Sequence, residues 1–203
     1  MMTKELFPKI ERGKDMETGN IKEFRLLEKL IKKNFETEDI EKIKQALDLA
    51  EIQHKGQERK YENAPYIVHP ARVANILIEE LKIKNVDSVV AGLLHDVVED
   101  CDYSLEKIGE EFGQNTQKLV DYLSHRKSES DNEYLDRIFN SGNSGVKILK
   151  MSDRLDNLRS LKYASEEFKI RYLKESQKDF LPRAKGVNEY LYSEIKKEIN
   201  RYL

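Results

Sequence analysis

Residues 93–100 read LLHDVVED, and this octapeptide restricts the fold more than any other stretch. Together with the preceding NVDSVVAG it makes 85–100 the most apolar segment of the chain, expected as one central helix. Yet His95, Asp96, Glu99 and Asp100 all fall within it. Buried charges without partners cost several kcal/mol, or shift their pKa until they are neutral. A fold that buries this helix must bring a compensating group to it. A metal ion, with further ligands from other segments, meets that need.

Helical periodicity runs through nearly the whole chain, so the expected fold is all-α, a single helical domain with one metal site at its centre. IKEFRLLEKLIKKNF (21–35) places Phe24, Leu27, Leu30 and Ile31 at helical spacing, and a helix opening at Thr37 turns Ile43, Ala46, Leu47 and Ala50 inward. GQERKYENAPY (56–66) breaks the pattern at Gly56 and Pro65 and reads as a loop with room for a short hairpin. Pro70 stands in the first turn of a helix over 69–82, where its missing N–H costs nothing. Ser104 suits an N-cap, and Gly142 and Gly145 assign part of 128–145 to a loop. Residues 146–162 are helical again, and two further helices are separated near 182–186. The expected organisation is an N-terminal helical extension over 1–36 and the main domain over 37–203, together one compact unit.

Lys plus Arg (36) against Asp plus Glu (38) leaves a net charge of −2, which gives no overall field for nucleic acid or an anionic membrane. No apolar run reaches the ~18 residues of a membrane span, and MMTKELFPKIERGKDMETG has no signal-peptide core. The single cysteine, Cys101, excludes an internal disulfide and suits a reducing compartment. These features point to a cytoplasmic protein with no nucleic-acid and no membrane partner.

Three segments carry the chemistry: YIVHP (66–70), LLHDVVED (93–100) and KMSDRLDNLRSL (150–161). His69, His95, Asp96 and Asp153 form a set of two imidazoles and two carboxylates on successive helices. Such a mixed, fairly hard site suits Mn²⁺ or Fe²⁺ better than Mg²⁺ or Zn²⁺, and its metal would polarise a phosphoryl oxygen and a water. Glu99 lies one helical turn beyond His95 and Asp100 one turn beyond Asp96, within reach of that water. Only His54 and His125 remain as further histidines, so a single metal is expected. His54 reads as a structural or supporting residue and His125 as a surface residue.

The order H…HD…D resembles the HD superfamily of metal-dependent phosphohydrolases. More narrowly, HKGQERK, PYIVHP, LLHDVVED and SDRLDNLRSL resemble the hydrolase domain of RelA/SpoT-type alarmone enzymes, over roughly residues 40–200. The sequence stops where a bifunctional enzyme would continue into a synthetase domain, which is similar to a stand-alone small alarmone hydrolase. The resemblance implies one Mn²⁺ per chain, held by His69, His95, Asp96 and Asp153, with Glu99 and Asp100 activating the attacking water. It implies that Arg59 holds the guanine base, that Asn157 contacts the nucleotide sugar, and that the reaction removes pyrophosphate from the 3′ position of (p)ppGpp.

The residues themselves agree with such a small-molecule nucleotide substrate. Lys55, Arg59 and Lys60 form a local basic group, and Arg154, Arg159 and Lys162 follow Asp153. Of the last three, Arg154 adjoins the site residues, and Arg159 reads equally as a structural ion pair. Two positions depart from the family pattern. Asp156 stands where His is common, and LVDYLSHRK replaces a stretch that usually carries a Thr-Lys pair. Both bear on purine specificity and 5′-phosphate contacts. They keep open a related HD phosphohydrolase acting on (p)ppApp, NADPH or another nucleotide, and a non-catalytic nucleotide-binding module remains the less favoured alternative.

Overall fold

The computed structural model describes residues 19–202, so residues 1–18 of the expected 1–36 extension, with the N-terminal stretch read above, lie outside the described residues. The helices are α1 (Gly19–Asn34), α2 (Thr37–Gln53), α3 (Val68–Asn75), α4 (Val86–Leu94), α5 (Val97–Asp100), α6 (Leu105–Phe112), α7 (Gln114–Leu123), α8 (Asp131–Phe139), α9 (Ser144–Ser160), α10 (Glu166–Glu175), α11 (Leu181–Ala184) and α12 (Glu189–Asn200). Wider π-type turns, Ile76–Glu80 and Ser176–Phe180, extend α3 and join α10 to α11. The loop between α2 and α3 holds one isolated antiparallel bridge, Glu58 to Pro65, in place of a hairpin. The fold is all-α, as the periodicity requires. Among the described residues, no helix is long and apolar enough to cross a membrane.

Local signals set the helix starts. Asn85 accepts from the Ser88 amide at 2.8 Å, and Ser104 caps α6 through the Lys107 amide at 3.3 Å. Ser130 and Glu133 form a reciprocal capping box at α8. Gly145, expected in a loop, instead lies in the first turn of α9 because Asn143 caps it, accepting from the Gly145 amide at 2.9 Å. Gly142, with φ +70°, is the glycine that turns the chain there.

α4 is the centre of the domain and packs against α2, α3, α7 and α9. Its residues Val89, Val90, Leu93 and Leu94 are fully buried. Gly92 admits the closest approach: a Cβ there would stand 2.9 Å from Leu77 Cδ1, so α3 and its extension seat directly against the α4 backbone.

The single helix expected over 85–100 divides at His95–Asp96. His95 Nδ1 donates to the Gly92 carbonyl at 2.9 Å, the acceptor that an unbroken helix offers to the Asp96 amide. Asp96 relaxes to φ −95°, ψ −9°, and α5 restarts beyond it.

α1 packs on α3, and its Leu27 and Ile31, with Phe35 beyond it, belong to the same core as Ile43 and Leu47 of α2. Leu27 is fully buried. Leu27→Ala is therefore expected to lower the unfolding free energy by ~2–5 kcal/mol while urea denaturation stays a single transition. A change within experimental error would show that α1 contributes nothing to the core.

Candidate metal centre and its cavity

His69 enters from the start of α3, His95 and Asp96 from the break between α4 and α5, and Asp153 from the middle of α9. His69 Nε2 and His95 Nε2 stand 3.2 Å apart. Asp96 Oδ2 is 3.2 Å from the His95 nitrogen and 3.6 Å from that of His69. Asp153 Oδ1 is 3.3 Å and 4.0 Å from the same two atoms. Donor atoms bound to one small cation at ~2.1 Å sit ~3.0–3.4 Å apart, so this spacing fits a shared ion.

The tautomers make the case stronger. His95 Nδ1 faces a carbonyl, and His69 Nδ1 faces Asp156 Oδ2 at 2.7 Å, so both Nδ1 atoms carry protons. In neutral imidazoles both Nε2 atoms then present lone pairs, alongside two carboxylate oxygens. Four acceptors converge with no donor among them unless a proton or a cation enters. The donor set fits a divalent metal, and His69, His95 and Asp96 form a divalent-metal-binding cluster, their ligand atoms all within 4.8 Å of one another.

Electrostatics follow from this crowding. Burial pulls the His69 imidazole down, but its hydrogen bonds with Asp153 and Asp156 outweigh burial and push its pKa up to about 9. Burial alone would raise Asp96 and Asp153. The positive field of the two histidines holds Asp96 below the usual carboxylate range, and Lys150 with His69 holds Asp153 well below it. Lys150 Nζ donates to Asp153 Oδ2 at 2.9 Å and Asn157 Nδ2 to Asp153 Oδ1 at 2.6 Å.

Glu99 and Asp100 lie at the exposed edge of the cluster. Partial loss of water raises the pKa of each, and the charge of Asp96 adds to this. Glu99 Oε2 accepts from the His125 amide at 2.8 Å. The Tyr66 hydroxyl lies 2.6 Å from Asp96 Oδ2 and 3.1 Å from Asp100 Oδ2, tying the two carboxylates together. Behind Tyr66 stacks His54, at 4.5 Å between ring centroids, with its Nδ1 paired to Gln57. His54 thus supports the site without entering it.

The cluster forms the floor of a cavity of about 600 Å³. Arg59 reaches it, its Nη2 donating to Asn157 Oδ1 at 2.8 Å. Arg154 lines it too, held by Glu175 and Ser176 between the rings of Tyr172 and Phe180. Lys60 lies outside: its ammonium sits 5.5 Å from the Tyr61 ring and lines an adjoining cavity of about 270 Å³. Lys55 is exposed and lines neither. Arg159 pairs with both oxygens of Glu80, at 2.6 and 3.0 Å, away from the cluster. His125, expected at the surface, is half-buried and lines the cavity, with its ring edge-on to Tyr134 at 4.8 Å. The sequence reading gave no role to Tyr66, Lys150 or Tyr172, although the first two lie inside the motifs it quoted.

A divalent cation needs the His69 lone pair, which a proton occupies below about pH 9 in the empty cluster. Metal uptake at pH 7 is expected to release close to one proton, with affinity rising roughly tenfold per pH unit and levelling near pH 9. Titration calorimetry in buffers of different ionisation heat measures the released proton. Uptake without proton release would contradict the raised His69 pKa.

Comparison with known proteins agrees with this arrangement. A family model for the HD domain matches residues 46–137, the span that holds His69, His95 and Asp96. The guanosine-3′,5′-bis(diphosphate) 3′-pyrophosphohydrolase of Aquifex aeolicus is 36% identical over 150 residues, covering 71% of this chain and 21% of the relative. The chain spans about a fifth of the length of such long curated relatives. The Mus musculus guanosine-3′,5′-bis(diphosphate) 3′-pyrophosphohydrolase MESH1 is 32% identical over 161 residues, which are 75% of this chain and 89% of that protein. A solved structure described as a metazoan ortholog of SpoT that hydrolyses ppGpp superposes with a TM-score of 0.72 at 28% identity, covering 79% of this chain and 94% of that one. A helical fold of the same shape, a two-histidine, aspartate cluster at its centre and relatives matched over nearly their full length lead to one family: the chain belongs to the HD-domain hydrolases of the RelA/SpoT and MESH1 type.

Proposed function

We propose that this chain hydrolyses the 3′-pyrophosphate of (p)ppGpp, releasing GDP or GTP and pyrophosphate, with one Mn²⁺ held by His69, His95, Asp96 and Asp153. The observation that carries the reading is the meeting of two Nε2 lone pairs and two carboxylate oxygens at 3.2–4.0 Å on the floor of a nucleotide-sized cavity. The catalytic unit is residues 37–203, with the residues before it, α1 among them, as an extension. We assign it to the cytoplasm, which suits a chain with one free cysteine, Cys101.

A divalent cation bound here supplies Lewis acidity to a phosphoryl oxygen and to water. The chain's own groups do the rest. Water attacks the phosphorus esterified to the ribose 3′ oxygen, that P–O bond breaks, and the 3′ oxygen leaves with a proton. Glu99 and Asp100, whose raised pKa values suit proton acceptance from water, serve as the base pair of the site. Tyr66 keeps Asp100 aligned with Asp96. Arg59 takes the base and Asn157 the sugar, while Lys150 and Arg154 offset the charge of the diphosphate. Lys55 and Lys60 remain for phosphates that extend beyond the cavity, Lys60 being the nearer through the adjoining space.

Incubation of the purified protein with ppGpp and Mn²⁺, resolved by anion exchange, tests the substrate. GDP and pyrophosphate are expected, and a chelator should stop their formation. Orthophosphate as product would indicate a phosphomonoesterase. Turnover of ppApp or NADPH without ppGpp would reassign the substrate, and metal binding without turnover of any of them would indicate a binding module. Separately, Glu99→Gln is expected to lower kcat by ~10²–10⁴-fold at unchanged Mn²⁺ affinity. Wild-type kcat in that variant would remove Glu99 from the mechanism.

A further inference from the structure

The two histidines of the cluster are backed differently. His95 rests on a neutral carbonyl, whereas His69 Nδ1 lies 2.7 Å from a carboxylate oxygen of Asp156. Asp156 sits on α9 three residues after Asp153, on the same face, and is 2% exposed. It does not line the main cavity. It lines a separate depression of about 390 Å³ together with Arg72, Asn75 and Ser160. Arg72 in turn donates to Glu62 at 2.6 Å, and the charge of Asp156 helps to keep the half-buried Arg72 protonated.

We propose that Asp156 is a positioning residue for the metal centre: its carboxylate holds the His69 ring in the Nδ1–H tautomer and aims Nε2 at the cation, so that metal affinity depends on a side chain that touches neither cation nor substrate. This rests on the metal reading given above. The physical basis is general. An imidazole is free to rotate and to exchange tautomers unless its second nitrogen is engaged, and an anionic acceptor engages it more strongly than a carbonyl. Asp156 is buried with Arg72 beside it, and this packing holds the acceptor in place. Asp156 thereby has a role that its place in the DRLDN stretch does not reveal.

The test uses the full chain and Mn²⁺ alone, with bound and free ion counted by electron paramagnetic resonance. Asp156→Ala is expected to weaken Mn²⁺ binding by ~10–100-fold, and Asp156→Asn, which keeps an acceptor and loses the charge, by less. In a His69→Ala background, Asp156→Ala should cause no further loss. Histidine ¹⁵N–¹H spectra of the Mg²⁺-loaded protein should show His69 as the Nδ1–H tautomer in wild type and as a mixture in Asp156→Ala. Should Asp156→Ala fail to fold, affinity and tautomer in Asp156→Asn decide alone. Wild-type affinity in the folded variants, or a loss that persists in the His69→Ala background, would overturn the proposal. Wild-type protein that binds no Mn²⁺ would instead sink the metal reading, and this inference with it.

Discussion

Two imidazole nitrogens and two carboxylate oxygens crowded within 3.2–4.0 Å repel one another unless a positive charge stands between them. Three separate parts of the chain are bent toward that point: the start of α3, the break after α4 and the middle of α9. Their surroundings, α2 and α7 included, exist as a shell that keeps these backbones from relaxing apart. Folding energy from apolar burial thus offsets the cost of taking these polar groups out of water, a conflict of the kind that marks functional sites. Cation binding relieves it and stabilises the fold by mass action, by about 2.7 kcal/mol at a hundred times Kd.

Much of this was legible in the sequence because it is periodic. The apolar spacing of 85–100 and 146–162 pointed to the two helical segments that matter most, and the acids inside the first of them called for a cation. What remained hidden depends on long-range partners. Lys55 and Arg59 are four residues apart in similar surroundings, yet Arg59 alone reaches the cavity, because Asn157, 98 positions away, accepts from its guanidinium. Asp156 appeared only as a departure from a family pattern, and its partner His69 is 87 positions distant. His125 looked like part of a solvated basic trio, while the turn after α7 brings its amide to Glu99 and its ring against Tyr134. Spacing along one helix reports which face is apolar. It carries no information on which polar residue of a loop turns inward.

A chain of net charge −2 is an unpromising receptor for a polyphosphate on composition alone. The structure answers by separating its cations according to work. Arg159 is consumed by Glu80, and Arg72 by Glu62. Arg59, Lys150 and Arg154 instead line the cavity, each held by a hydrogen bond and an aromatic face: Arg59 near Tyr66, Lys150 over Tyr134, Arg154 over Tyr172. Held in place beforehand, these groups lose little freedom when an anion arrives.

The interrupted helix at His95–Asp96 has a further meaning. Adjacent residues on a continuous α-helix point about 100° apart and could not easily serve one centre. Here the His95 ring itself occupies the Gly92 carbonyl, and the chain loosens at the next residue. The histidine is therefore a backbone element as well as a side chain, since its ring N–H competes with the helix ladder. A residue at position 95 without that donor would leave the carbonyl free for the Asp96 amide, the bond that joins α4 to α5 in an unbroken helix. The direction of the Asp96 carboxylate is thereby tied to the ring of its neighbour, so the dipeptide is one conformational unit.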